Sequence, residues 1–202
     1  YGLVGSEMCI RDRSRTASTT CSTSRCRCRS AAARRAPDLA GSVLRLADIG
    51  FGDAATLLHR YGLELQHVAD GEPIPGSYWG ECEAGIIGHV VHARGDTPVH
   101  SLLHEACHLI VLPPERRAGV HTDATESIDE ENAVCVLQAL LADALPGVGR
   151  GRMLADMDAW GYTFRLGSAA AYVERDADDA WAWLQARGFV DDARAPRIPA
   201  GD

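Results

Sequence analysis

The residues with the most specific chemistry are His104, Glu105 and His108, which form a His-Glu-x-x-His motif. On an α-helix, residues four apart lie one turn above one another on the same face, so the two imidazoles can converge on one metal ion. Glu105 lies roughly 100° around the helix from His104. From there its carboxylate can contact a metal-held water without ligating the ion. The spacing therefore predicts a metal site with a general base beside it.

The residues that flank the motif predict a buried helix. Thr97 is expected as its N-cap and Pro98 as its first helical position, while Pro113 and Pro114 end it. Apolar side chains surround the motif, namely Leu102, Leu103, Leu109, Ile110, Val111 and Leu112. Unpaired imidazoles and carboxylates are costly in such surroundings, which favours metal binding. The alternative is a buried helix whose histidines form hydrogen bonds to backbone carbonyls.

A later stretch, residues 127–141, can supply the third protein ligand that a zinc site needs. Its pattern predicts a helix of about four turns. Glu130 shares one helical face with four core positions, so it is expected to point toward the core; these positions are Ala133, Leu137, Leu140 and Leu141. Ser127 and Glu130 also match a capping box, in which Glu130 only closes the helix start. In that case Glu131 or Glu126 becomes the ligand candidate.

The order of these segments resembles the zincin-type metallopeptidase domain, and specifically its gluzincin-like members. A strand predicted over residues 84–94 comes directly before the motif helix, and in zincins an edge strand beside that helix pairs with an extended substrate. His89 and His92 lie on this strand, where solvent-facing positions are the expected account and substrate-facing roles the alternative. The resemblance implies an α+β fold, with a small sheet beside a buried motif helix and further helices after it.

The resemblance also implies a set of site residues. Glu130 stands three residues before Ala133, as in the Glu-x-x-Ala helix of gluzincins, although Val134 occupies the place where those families have Asp or Asn. Zn²⁺ would then be held by His104, His108 and Glu130, with Glu105 as the general base. The implied activity is metal-dependent hydrolysis of a peptide or protein substrate.

Three residues are candidates for stabilising an oxyanion during such a reaction, namely His121, Tyr162 and Arg165, and the sequence does not rank them. Cys107 and Cys135 are capable zinc ligands, but a free cysteine usually fills a core as a small apolar residue. A core position is therefore the expectation for both.

A second class of function remains open, a non-catalytic metal-binding domain that uses a zincin-like fold for regulation or for interaction with a partner. Glu105 distinguishes the two classes, because a site that only binds metal needs no general base beside its first histidine. That argument favours the hydrolase. A third possibility is a metal-free structural domain with buried neutral histidines.

Charge and composition divide the 202-residue chain unevenly. Residues 1–36 hold eight arginines against two acids, and the remaining residues hold 12 arginines against 26 acids. An acidic body argues against a nucleic-acid surface. No apolar run is long enough to span a membrane, no secretory signal is visible, and the seven irregularly spaced cysteines do not form a disulfide framework. A cytoplasmic location is expected.

The expected organisation is a tail over residues 1–36, one domain over residues 37–193 and a frayed tail over residues 194–202. Residues 1–13 resemble a translated sequencing-adapter fragment, and residues 14–36 lack the periodicity needed for a core. Within the domain, further predicted elements are helices over 43–49, 54–61, 151–158, 169–175 and 177–187 and a strand over 63–68.

Overall fold

The computed structural model describes residues 43–78, 80, 82–125 and 127–200, so the expected amino-terminal tail lies outside the described residues. Within them the chain is a mixed α+β structure, as the sequence predicts. The strands are β1 (Glu64–His67), β2 (Gly85–Ile87) and β3 (Val90–Ala93). The helices are α1 (Leu46–Ile49), α2 (Phe51–Arg60), α3 (Val99–Val111), α4 (Pro114–Arg117), α5 (Ile128–Leu141), α6 (Gly149–Trp160), α7 (Ala169–Arg175) and α8 (Asp178–Ala186).

The sheet has the strand order β1-β3-β2, with β1 parallel and β2 antiparallel to the central β3. The single strand predicted over residues 84–94 is wrong, because a turn at Gly88 and His89 divides it into the β2–β3 hairpin. Gly88 has a φ of 62°, which glycine adopts without the steric cost that a Cβ would add. β-branched residues lie on both sides of this turn, which made the whole run look like one strand.

Strand β2 forms one edge of the sheet, and its outward-facing backbone groups are bonded to the protein's own chain. The amide of Ile86 donates to the carbonyl of Gly76 at 3.3 Å, and the amide of Thr122 donates to the carbonyl of Ile86 at 3.0 Å. A Cβ added at Gly76 would collide with the Ile86 carbonyl, so glycine allows this close approach. The outward-facing backbone groups of Ile86, on the edge strand beside the motif helix, are therefore already paired within the protein.

Helix α3 carries the motif and lies against β2, β3 and α5. Nearly all of its side chains are buried, and His104 and Glu105 are the partly exposed positions. The prediction that Thr97 caps this helix is wrong, because the Thr97 hydroxyl instead accepts a hydrogen bond from the amide of Arg94 at 3.0 Å and Pro98 occupies the N-cap. The predicted end is confirmed, since α3 stops at Val111, before Pro113.

Helix α5 is the centre of the helical layer and packs against α3, α6 and α8. From Ala133 to Leu141 every side chain is buried. The predicted boundaries are confirmed, and the Ser127 hydroxyl accepts a hydrogen bond from the Glu130 amide at 3.4 Å. Because both α3 and α5 are buried along most of their length, polar side chains at their interface must satisfy one another or hold a ligand.

The described part of the carboxyl-terminal segment, residues 194–200, is not the frayed tail that the sequence predicts. The amide of Arg197 donates to the carbonyl of Phe189 at 2.8 Å, and the Arg60 guanidinium donates to the carbonyl of Pro199 at 2.6 Å. Ile198 packs against the core. Residues 194–200 thus return to the body of the protein. Among the described residues, no helix combines the length and apolar character needed to cross a bilayer.

Candidate metal centre

The centre lies between the facing sides of α3 and α5. His104 and His108 project from α3 one turn apart. Glu131, Cys135 and Gln138 project from α5 at spacings of four and three residues, so they share a face. Two helical stripes, each fixed by helix periodicity, therefore bring five polar or ligating side chains to one interface.

Three side chains form a compact triangle of potential ligand atoms. The Nε2 atom of His104 lies 3.2 Å from one carboxylate oxygen of Glu131, and the Nε2 atom of His108 lies 3.3 Å from the other. The two Nε2 atoms are 3.2 Å apart. Ligand atoms at tetrahedral positions about 2.0–2.1 Å from a zinc ion lie about 3.3 Å from one another. The separations observed between neighbouring atoms are close to this value, with each histidine facing a different oxygen of Glu131.

The three side chains of the triangle are partly exposed to solvent. The side chains of His104, His108 and Glu131 are 14%, 9% and 20% exposed. These values are low enough to strengthen electrostatic interactions between the three side chains.

Gln138 orients the first imidazole. Its side-chain carbonyl oxygen lies 3.1 Å from Nδ1 of His104, and its amide nitrogen donates to the sulfur of Met157 at 3.0 Å. Since a carbonyl only accepts, this contact requires a proton on Nδ1 of His104, and Nε2 is the ring nitrogen that faces Glu131. Nδ1 of His108 is buried without a hydrogen-bond partner among the described residues. The sequence analysis missed Gln138, although its position seven residues after Glu131 places the two on one face.

The structure brings Glu131, the alternative to Glu130, to the two histidines. Glu130 lies in the first turn of α5, where its amide is held by Ser127, and one of its carboxylate oxygens is buried without a hydrogen-bond partner among the described residues. The shared face does not by itself identify the side of α5 that meets α3, because α5 is buried all round beyond Ala133. Glu126, the other alternative, lies outside the described residues.

The environments of the two acidic groups shift their pKa values in opposite directions. Burial raises the pKa of Glu105 and outweighs the opposing effect of His108 and His104. Burial would also raise the pKa of Glu131, but the two neighbouring imidazoles hold it well below its ordinary value. Glu131 is thus maintained as a carboxylate, the form that can ligate a metal ion. Glu105 binds a proton more readily than an ordinary glutamate does.

Of the three oxyanion candidates, Tyr162 has a ring contact with one of the two histidines. Its ring meets the ring of His104 edge-on, with centroids 6.1 Å apart. Arg165 is instead paired with Asp176. His121 is exposed and forms a β-bridge with Ile87 at the edge of the sheet. The structure therefore brings Tyr162 to the histidines and gives Arg165 another partner.

The two buried cysteines differ in their surroundings. Cys107 is fully buried on α3, and burial raises its pKa well above the ordinary value, as expected for a core residue. Cys135 is also fully buried, but its sulfur lies within 4.8 Å of ligand atoms of His104 and Glu131. His104, Glu131 and Cys135 thus form a group that could hold a metal ion. The expectation that Cys135 is only a core residue missed this proximity.

The histidines of the β2–β3 hairpin have unequal exposure. His89 is exposed in the turn, as expected. His92 is partly buried on β3, its Nδ1 has no hydrogen-bond partner among the described residues, and burial lowers its pKa. The expectation of a solvent-facing residue is therefore confirmed for His89 and is wrong for His92.

No protein-family model, curated protein or solved structure matches this chain. The interpretation of the site consequently depends on the motif and on the distances within the centre.

Proposed function

We propose that the protein is a zinc-dependent, peptidase-like hydrolase. The observation that carries this proposal is the triangle formed by the side chains of His104, His108 and Glu131, in which each imidazole lies 3.2–3.3 Å from an oxygen of Glu131 and the two Nε2 atoms are 3.2 Å apart. Two imidazoles and one carboxylate are also the protein ligand set of several hydrolytic zinc sites, which leave a further position for water.

Each residue of the centre has a distinct task in this proposal. A bound zinc ion would lower the pKa of a coordinated water to about 7 and polarise the carbonyl under attack. Glu105 accepts the proton of the attacking water and then delivers it to the leaving amine. The raised pKa of Glu105 suits a group that must both take up and release a proton. Gln138 keeps the lone pair of His104 directed into the centre.

The proposed substrate is a peptide or a protein. This choice rests on the zincin resemblance and on the acidic body, which disfavours nucleic acid. The bonded edge of β2 adds a constraint, because an extended substrate cannot pair at Ile86 while Gly76 and Thr122 occupy its backbone groups.

The test uses the full 202-residue chain and the variants Glu105→Gln and His104→Ala. Zinc content is measured by elemental analysis, and hydrolysis is measured with casein and a peptide library. We expect about one zinc per chain in the wild type and in Glu105→Gln, with hydrolysis lost in Glu105→Gln and zinc lost in His104→Ala. A Glu105→Gln protein that hydrolyses peptides as fast as the wild type would remove Glu105 from the mechanism, and a wild type without zinc affinity would remove the proposal.

The position of Cys135 favours a second candidate function, a non-catalytic metal-binding domain. A sulfur beside the triangle offers a fourth protein ligand, and sites with four protein ligands are typical of structural zinc. Stoichiometric zinc without hydrolysis of any library member, in the wild type and in Cys135→Ala alike, would support this candidate over the hydrolase.

A further inference from the structure

We propose that Cys135 supplies a thiolate ligand to the ion held by His104, His108 and Glu131, and thereby closes the centre in its resting state. The inference rests on the proposed metal site and adds a control of access to it. Its starting observation is that the sulfur of Cys135 lies within 4.8 Å of ligand atoms of both His104 and Glu131.

Helix periodicity explains why this cysteine faces the centre. Cys135 follows Glu131 by four residues, so its side chain lies one turn further along the same face of α5. A thiolate and an imidazole bound to one tetrahedral zinc ion are about 3.5 Å apart. The observed limit of 4.8 Å is longer than this separation, so coordination requires the sulfur to move toward the two ligand atoms.

Coordination selects the form in which the sulfur acts. Cys135 is fully buried beside His104 and Glu131, and zinc binds cysteine as the thiolate. On coordination the S–H bond breaks, a metal–sulfur bond forms and the proton passes to the buffer. A soft sulfur ligand also favours zinc or cobalt over magnesium, calcium or manganese.

A fourth protein ligand has a direct consequence for hydrolysis. With His104, His108, Glu131 and Cys135 all bound, the four tetrahedral positions are filled and none is left for water. Water must displace the sulfur, or add as a fifth ligand, before Glu105 can act as a base. Removal of the thiol should therefore leave the centre permanently open and raise the rate of hydrolysis.

Cobalt substitution of the full chain tests the ligand, and Cys107→Ala is the matched control for Cys135→Ala. Both cysteines are fully buried, one on each of the facing helices, but only Cys135 adjoins the triangle. We expect a near-ultraviolet sulfur-to-cobalt charge-transfer band in the wild type and in Cys107→Ala, and its loss in Cys135→Ala. X-ray absorption of the zinc-loaded wild type should show one sulfur at about 2.3 Å, which needs no variant to fold.

Two further readouts connect the ligand to proton release and rate. Zinc binding should release one proton more from the wild type than from Cys135→Ala, as measured in buffers of different ionisation enthalpy. Peptide hydrolysis should be several-fold faster in Cys135→Ala than in the wild type or Cys107→Ala.

The outcomes separate this inference from the proposed function. Cobalt bound without the charge-transfer band, and zinc without a sulfur neighbour, would overturn the role of Cys135 while leaving the metal site intact. Absence of cobalt and zinc binding would overturn both. A sulfur signal with equal hydrolysis rates in the wild type and Cys135→Ala would overturn the closing of the site and retain only the ligand.

Discussion

Three histidines lie one turn apart on α3, yet the first has a different environment from the other two. His104 and His108 face a carboxylate and, in the case of His104, an amide oxygen on α5. His100 faces the rings of Trp160 and Tyr162, with centroids 5.1 Å and 5.6 Å away. Both of its ring nitrogens are buried without a hydrogen-bond partner among the described residues, and burial, reinforced by nearby His104 and Arg45, lowers its pKa to about 3.

The comparison shows that the facing element decides what a histidine can do. The spacing on α3 is the same for all three residues, so α3 alone does not divide them into ligands and a core residue. The division follows from α5, which presents Glu131 and Gln138 to one part of the stripe, and from the end of α6, which presents an aromatic ring to the other. Each of the following changes should affect either the pair His104 and His108 or the residue His100, and should leave the other unchanged.

The largest effect is expected when Glu131, the carboxylate that faces His104 and His108, is neutralised. Glu131→Gln should weaken zinc binding by more than about 100-fold, because a neutral amide replaces a charged ligand. Removal of a group that only orients a ligand typically weakens binding by about 10–100-fold, and the loss of the ligand itself should be larger. Glu130→Gln is the matched control one residue away and should bind zinc as the wild type does. Competition with a chromophoric chelator measures both. Equal losses in the two variants would show that Glu131 is not a ligand.

Zinc should also stabilise the fold, because the ligands come from two separate helices that meet only in the native state. At free zinc about 100 times the dissociation constant, the free energy of unfolding should rise by about 2.7 kcal/mol relative to chelator-treated protein. Urea unfolding with and without a chelator measures this difference. Glu131→Gln should lose most of the increment, and His100→Phe should retain it.

A smaller effect on binding is expected at the residue that orients His104. Gln138→Leu leaves Nδ1 of His104 without its acceptor and should weaken zinc binding by about 10–100-fold. Gln138→Glu restores an acceptor and should recover part of the loss, which a packing defect alone would not allow. If Gln138→Leu binds zinc as tightly as the wild type, the amide has no orienting role.

His100 should produce the smallest change, visible in the dependence of stability on pH. Its folded pKa of about 3 lies below the unfolded value near 6.5, so its contribution is complete above about pH 6.5 and is lost as the pH falls toward 3. Between pH 7 and pH 5 this loss amounts to about 2 kcal/mol. In zinc-free protein, the free energy of unfolding should fall between pH 7 and pH 5 by about 2 kcal/mol less in His100→Phe than in the wild type. Urea unfolding at the two pH values measures this difference. The exposed control His89→Gln should behave as the wild type; an unchanged slope in His100→Phe would contradict the assignment.

The sequence predicted those features correctly for which a local residue pattern agrees with the packing of the folded chain. Prolines fix the end of α3, Ser127 fixes the start of α5, and the His-Glu-x-x-His spacing places two imidazoles on one face. The choice between Glu130 and Glu131 required the rotation of α5 about its axis. That rotation is set by packing against α3, α6 and α8 together, so no pattern within α5 alone reports it.

Other differences between the predictions and the structure arose from hydrogen-bond partners that the sequence pattern does not report. Gln138 acquires its role only because His104 lies opposite, 34 residues earlier. Thr97 has the chemistry of a helix cap, but the turn at Arg94 competes for its hydroxyl. Residues 194–200 contain little that identifies a partner, and their backbone bonds to Phe189 and Arg60 appear only in the folded chain.

The bond between Gly76 and Ile86 gives the protein an internal competitor for any ligand that approaches along β2. A peptide that adds to this edge must first detach the segment around Gly76 or the one around Thr122, so its apparent affinity would be reduced by the fraction of molecules in which the edge is free. Amide hydrogen exchange at Ile86 reports that fraction directly. Substrate capture would then be governed by a local opening of the protein as well as by the recognition of side chains.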